Sequence, residues 1–186
     1  MDIALYGGSF DPPHLGHVHV VTAALEKLDI GRLIIVPAFV NPFKTGTHAP
    51  AELRLSWLRE IFKDEERVEV SDFEIRQNRP VRSIETVKHF SALYDKIYFI
   101  IGADNLASLK KWHRYEELDK LVTWVVATRD KIEIGQNYIQ LDVQQAISST
   151  KLRKNMTDEH LPTEVAAAIK GYYPKIKHEE NHARPH

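Results

Sequence analysis

Four short runs of uninterrupted apolar residues decide what this chain can fold into. Ile3 to Tyr6, Leu33 to Val36, Ile97 to Ile101 and Trp124 to Ala127 each read as a strand. The first three are halted at once by Gly7, Pro37 and Gly102. A strand that is apolar at every position has no face to offer water. It needs cover on both sides, which is the habit of parallel sheets. Helical periodicity fills the gaps. Val18, Val21, Leu25 and Leu28 recur at helical spacing from about Leu15, and further helices are predicted from Ala51 to about Phe62 and from about Ser83 to Tyr94. Alternation over Val68 to Ile75 predicts another strand, as does the stretch around Tyr138 to Val143. Short helices are expected at 104–111 and 115–121, and a last helix from roughly Pro162 to Tyr172.

Strand followed by helix, repeated, gives with right-handed crossovers a doubly wound parallel sheet. The expected class is α/β, Rossmann-like, with a small C-terminal helical part. Its 186 residues suit one domain, expected over 1–173, and the polar His- and Glu-rich stretch 174–186 is expected to be a disordered tail. Nothing in the sequence sets an oligomeric state.

Composition removes several function classes. There are no cysteines, so disulfides, thiolate nucleophiles and Cys-based zinc sites are excluded. The net charge is −1, which gives no overall basic field for a nucleic-acid backbone. No apolar run is long enough to cross a bilayer, and Met1 to Gly8 has no signal-peptide pattern. No nucleic-acid or membrane partner is expected, and the expected location is the cytoplasm.

In a doubly wound sheet, ligands bind beyond the C-terminal strand ends, so chemistry is sought just after each strand. The first strand is followed by Gly7-Gly8-Ser9-Phe10-Asp11-Pro12-Pro13-His14-Leu15-Gly16-His17. The two glycines let the backbone turn tightly and come close to a ligand. His14 and His17 fall at a helix start, where unsatisfied N–H groups and the helix dipole attract phosphate. The pattern is neither the Gly-x-Gly-x-x-Gly fingerprint nor a Walker A loop.

This segment resembles the signature of the His-x-Gly-His nucleotidyltransferase superfamily. The superfamily's second signature is matched by Ile147-Ser148-Ser149-Thr150-Lys151-Leu152-Arg153. Alone, Ser-Ser-Thr before a helix is an ordinary cap. Paired with the first motif it implies N–H groups facing ATP phosphates, with Arg153 adding charge. Gly102-Ala103-Asp104 follows another buried strand; Asp104 either caps the next helix or accepts hydrogen bonds from the ATP ribose or adenine. With Lys111-Trp112-His113 and Pro80 to Thr86, these segments resemble bacterial nicotinate mononucleotide adenylyltransferase over roughly residues 3 to 173.

The resemblance implies that AMP is transferred from ATP to nicotinate mononucleotide, giving the dinucleotide and pyrophosphate. It implies His14, His17, Lys44 and Arg153 as the catalytic cations. Gly7, Gly8, Ser9, Phe10, Gly16, Gly102, Asp104, Ser148, Ser149 and Thr150 would bind ATP. Trp112 would stack on the nicotinate ring, and Ser83 stands where the family has a carboxylate-binding threonine. Two acceptor-site positions depart from the usual tyrosines. Arg82 either adds a cation near the carboxylate or points into water, and His113 follows the tryptophan. Asn41-Pro42-Phe43-Lys44 keeps the family lysine but lacks the histidine before it. Mg²⁺ is expected on the ATP phosphates, since no carboxylates cluster as a dedicated protein site. The rivals are nicotinamide mononucleotide or phosphopantetheine as acceptor, a cytidylyltransferase, and a non-catalytic nucleotide sensor. His178, His182 and His186 in the tail are either solvated or metal-binding.

Overall fold

The computed structural model describes residues 1–39, 49–128, 135, 137–143 and 147–173. Six parallel strands form one sheet in the order β3-β2-β1-β4-β5-β6. They are β1 Ile3–Gly8, β2 Arg32–Pro37, β3 Val68–Val70, β4 Ile97–Gly102, β5 Thr123–Thr128 and β6 Ile139–Asp142. The helices are α1 Leu15–Lys27, α2 Ala51–Phe62, α3 Phe73–Arg76, α4 Ser83–Ser91, α5 Tyr115–Leu121, α6 Ser149–Lys154 and α7 over 166–173.

The apolar runs behave as their composition requires. Alternate residues of each central strand enter two separate cores. Ala4, Leu33, Ile35, Ile100 and Val125 pack with Val20, Val21 and Ala24 of α1 and Leu58 of α2. Leu5, Ile34, Val36, Phe99 and Val126 pack with Ile84, Val87 and Phe90 of α4 and Leu118 of α5. A third core lies outside the sheet, where Trp57 of α2 meets Leu152 of α6 and Ile169 and Tyr173 of α7. This is the expected C-terminal helical part. No helix among the described residues is long and apolar enough to cross a membrane.

Two expectations need correction. The strand read over Val68 to Ile75 stops at Val70. The amide of Phe73 donates to Ser71 Oγ at 3.2 Å and that of Arg76 to Asp72 O at 2.9 Å, starting the short helix α3. A local side-chain acceptor competes successfully with the sheet because β3 is an edge strand with one neighbour. The helix read at 104–111 is two isolated 3₁₀ turns, Ala103–Asn105 and Leu109–Lys111. The tail 174–186, with its three histidines, lies outside the described residues.

The third core is tied to the sheet by buried charge. Arg54 of α2 is 0% exposed. It donates from Nε to Ala49 O at 3.0 Å, from Nη1 to Ser9 O at 2.6 Å and from Nη2 to Phe39 O at 3.1 Å. Asp11, 3% exposed, accepts from the Ala49 amide at 3.1 Å and from the Tyr173 hydroxyl. Burial lowers the guanidinium pKa of Arg54, and the Asp11 charge opposes that shift. The Tyr173 phenol is pushed up by its own burial and by the adjacent Asp11. Arg54→Met should therefore cost about 3–5 kcal/mol, because it orphans several buried acceptors at once. Urea unfolding followed by circular dichroism measures this. A loss below about 1 kcal/mol would mean that the loop holds itself without Arg54.

Candidate active site

β1 delivers the chain into the loop that begins α1. Phe10 adopts φ 50°, a left-handed conformation uncommon for a residue with a side chain. Its buried ring lies edge-on to Tyr6 at 5.4 Å and to His17 at 4.7 Å. The Asp11–Pro12 peptide is cis. His14 is the N-cap of α1 and is 2% exposed. Its amide donates to His17 Nδ1 at 3.0 Å, and the two imidazoles stack with centroids 3.7 Å apart. Because Nδ1 accepts that bond, neutral His17 carries its proton on Nε2, where it can be donated to an anion. Gly16 makes the stack possible: a Cβ there would stand 2.8 Å from both Cε1 and Nδ1 of His14.

The second motif docks onto this loop. Ser148 caps α6, accepting from the Lys151 amide at 3.1 Å. Ser149 Oγ donates to Pro12 O at 2.9 Å, and Arg153 Nη1 donates to Asp11 O at 2.6 Å. Arg153 Nη2 also reaches Thr150 Oγ1 at 3.5 Å. The guanidinium fork has five donors, so anchoring to the loop leaves N–H groups for a ligand. Thr150 itself is exposed.

The sheet opens beside this loop. β1 and β4 pair in register only as far as Tyr6 and Ile100, yet each runs two residues further, to Gly8 and Gly102. Here the strand order reverses, and a crevice forms. A cavity of about 180 Å³ fills it, lined among others by Gly8, Gly102, Ser83, Thr86, Glu74 and Trp112. Trp112 stands edge-on to Phe99 at 6.3 Å and to Trp124 at 6.1 Å, which fixes its ring. A wider, shallower depression of about 660 Å³ runs over Lys110, Trp112 and Arg114, but it includes none of the glycine, histidine or serine motif residues.

The predicted residues thus fall into two joined groups. His14, His17, Ser9, Phe10, Ser149 and Arg153 surround the loop; Gly7, Gly8, Gly102, Ser83 and Trp112 line the cavity. The buried Ser9 hydroxyl has no hydrogen-bond partner among the described residues. Asp104 is exposed at the end of β4, caps nothing, and lays its Oδ1 over Gly102, within 2.5 Å of where a Cβ would be. Arg82 and His113 are exposed and do not line the cavity. Lys44 lies outside the described residues.

Sequence reading passed over Glu74, Thr86, Arg54 and Tyr173. Glu74 hid inside a segment read as a strand. Arg54 did leave a signal, since it falls four residues before the core residue Leu58 on the apolar face of α2. Glu74 accepts from Thr86 Oγ1 at 2.8 Å. Burial pushes its carboxyl up to about 7, against the Thr86 hydrogen bond and with help from the Glu85 carboxylate.

Comparison with known proteins agrees with this geometry. The family model described as Cytidylyltransferase-like matches residues 5–155, a span that includes both motifs. A doubly wound sheet whose first strand leads through a glycine loop to His-x-Gly-His at the start of α1 therefore defines a nucleotidyltransferase of that class. Curated relatives named nicotinate-nucleotide adenylyltransferase narrow it further. The Sulfurimonas denitrificans protein is 56% identical, covering 92% of this chain and 94% of the relative. Those from Nitratiruptor sp. and Campylobacter jejuni are 49% and 45% identical, each covering at least 93% of this chain and 99% of the relative. The chain belongs to the nicotinate-nucleotide adenylyltransferase family. Among solved structures, Plasmodium falciparum nicotinic acid mononucleotide adenylyltransferase complexed with NaAD matches with TM-score 0.76 at 20% identity, over 93% of this chain and 97% of that one. The same protein complexed with APC matches with TM-score 0.71 at 17% identity, over 95% and 97%. These two likenesses bear on the fold.

Gly16→Ala follows as a test of the histidine stack. The added methyl must displace the buried His14 ring while leaving the cores untouched. Misplacing a catalytic group by about 1 Å costs on the order of 10²-fold. A loss of that size in pyrophosphate release, with an unchanged far-ultraviolet spectrum, is the expected result. Near-normal turnover would separate His14's position from catalysis.

Proposed function

We propose that this protein transfers AMP from ATP to nicotinate mononucleotide, releasing pyrophosphate and forming nicotinate adenine dinucleotide, a step of NAD biosynthesis. The observation that carries this reading is the cavity at the strand reversal. It sets Ser83 and Trp112 beside the glycine ends of β1 and β4, next to the loop that holds the stacked histidines. Residues 1–173 act as one nucleotidyltransferase domain in this reading, and a cytoplasmic location fits the absence of cysteine.

The attacking group is a phosphate oxygen of the mononucleotide. It bonds to the α-phosphorus of ATP, and the bond from that phosphorus to the bridging oxygen of pyrophosphate breaks. The nucleophile is already anionic, so no strong base or covalent enzyme intermediate is needed. The barrier lies in bringing two anions together in line. Positioning and charge stabilisation lower it. His17 donates from Nε2 to the α-phosphate, with His14 beside it. Arg153 and Lys44 hold the departing pyrophosphate. Gly8, Ser9, Phe10, Gly102 and Asp104 receive the rest of the nucleotide. Among the described residues no three His, Asp or Glu side chains converge on a metal position. Mg²⁺ would be carried mainly by the ATP phosphates, and would supply neutralisation of the triphosphate charge.

Trp112 offers its face to the pyridine ring. Ser83 Oγ and the amides that open α4 offer donors to a carboxylate, which only accepts. A carboxamide would set its own NH₂ against at least one of them. An unmatched buried polar group costs about 1–3 kcal/mol, so nicotinate should be preferred by roughly tenfold to a hundredfold. Arg82, exposed and outside the cavity lining, contributes little to that preference.

A pyrophosphate-release screen with ATP against nicotinate mononucleotide, nicotinamide mononucleotide and phosphopantetheine tests the reading. Turnover should be highest with the first; turnover only with phosphopantetheine would sink it. His17→Ala should lower kcat by about 10²–10³ without unfolding the protein, and a variant with normal kcat would remove His17 from the mechanism. Ser83→Ala should narrow the ratio between the two pyridine acceptors, whereas Trp112→Ala should weaken both alike.

A further inference from the structure

The cavity contains a group that the proposed chemistry does not use. Glu74 is the one ionisable side chain among the described residues that line it; the rest are apolar, glycine or neutral polar. A carboxyl is an unexpected wall for a site that takes a carboxylate. Two like charges in one buried site cannot both persist cheaply. Thr86 on α4 fixes the Glu74 carboxyl through its 2.8 Å hydrogen bond.

Among the described residues, no Lys or Arg lines the cavity beside it. On α4 the nearest acid, Glu85, is held by Arg79 at 2.6 Å and by the Arg82 amide at 3.0 Å. On α3 itself Arg76 pairs with Asp72 at 2.9 Å, and Arg59 of α2 approaches the same Asp72 at 4.0 Å. His89 stacks on Phe73 at 4.0 Å. β2 presents Val36 to the cavity, and the residue just beyond the strand is Ala38. The neighbouring acid and the loss of hydration both favour the proton-bearing form, and ionisation falls near pH 7.

We propose that Glu74 is a specificity-determining residue that senses the charge of the acceptor's ring substituent: bearing its proton it donates to the carboxylate of nicotinate mononucleotide, and without it repels that carboxylate and accepts from a carboxamide. This rests on the functional reading above. It adds a residue and a pH dependence to that reading.

The sign follows directly. Below the Glu74 midpoint the cavity is neutral and offers an O–H donor, so nicotinate is favoured. Above it the cavity is anionic and the preference falls. A like charge placed within a few ångströms changes such a balance by about tenfold or more.

The test is the ratio of kcat/KM for nicotinate over nicotinamide mononucleotide from pH 6 to pH 9 at saturating magnesium-ATP. Taking the ratio cancels titration of the acceptor phosphate and of any other group that both reactions share. In the unmodified protein the ratio should drop about tenfold across a midpoint near 7. Glu74→Gln keeps a donor but cannot ionise, so its ratio should stay flat at the low-pH value. Should that variant fold poorly, Thr86→Val gives an independent reading. Removing a hydrogen bond that favours the ionised form should move the midpoint to higher pH. A flat ratio in the unmodified protein, alongside good turnover of nicotinate mononucleotide, overturns this inference and leaves the functional reading standing. A pH dependence that persists in Glu74→Gln overturns it as well. Failure of both pyridine acceptors overturns the functional reading and this inference together.

Discussion

The buried pairing of Arg54 with the backbone under the loop between β1 and α1, beside the Asp11 carboxylate, is the constraint on which the site depends. Three carbonyls from separate stretches of chain, at Ser9, Phe39 and Ala49, converge on one guanidinium. Asp11 then gathers the Ala49 amide and the Tyr173 hydroxyl, while its own carbonyl receives Arg153. A loop that leaves a sheet and carries the histidine motif has little regular structure to hold it. Here buried ionic hydrogen bonds replace that structure. Such groups are costly to desolvate, and their partners must be complete for the arrangement to persist.

This arrangement also explains why the two motifs, far apart in the chain, act as one. Ser149 and Arg153 both donate to carbonyls of the first motif, at Pro12 and Asp11. The second motif is thus partly a clamp on the first. Its capping serine does what a cap ordinarily does. Capping and docking are compatible in Ser-Ser-Thr, because Ser148 caps α6 while Ser149 reaches Pro12.

The cavity divides the chemistry by charge. Stacked imidazoles and Arg153 lie on the loop side, where the proposed reaction would gather phosphate negative charge. On the sheet side, the described residues that line the cavity with Trp112 and Ser83 are neutral except for Glu74. A weakly polar pocket makes each donor count for more than it would in water, so one protonation event there can alter which acceptor fits.

The sequence by itself determined the sheet, its parallel sense and the end of it that carries chemistry. Apolar runs such as Leu33 to Val36 admit one environment only, and glycines close β1 at Gly8, one residue past the expected stop, and β4 at Gly102. It determined the histidine pair too, because His14, Gly16 and His17 are neighbours across the N-cap and first turn of α1. Edge structure was less legible. The alternation after Val68 looked like a strand until a side-chain bond from Ser71 turned it into α3. Tertiary structure alone decided what depends on residues distant in the chain. That Arg54 is buried beneath Ser9, that Tyr173 reaches Asp11, that Arg82 stays outside the cavity and that Glu74 stands within it are all products of packing between separate elements. Local sequence sets backbone preference and periodicity. The environment of a charged side chain is set by what the rest of the chain places around it, and no short window of sequence contains that information.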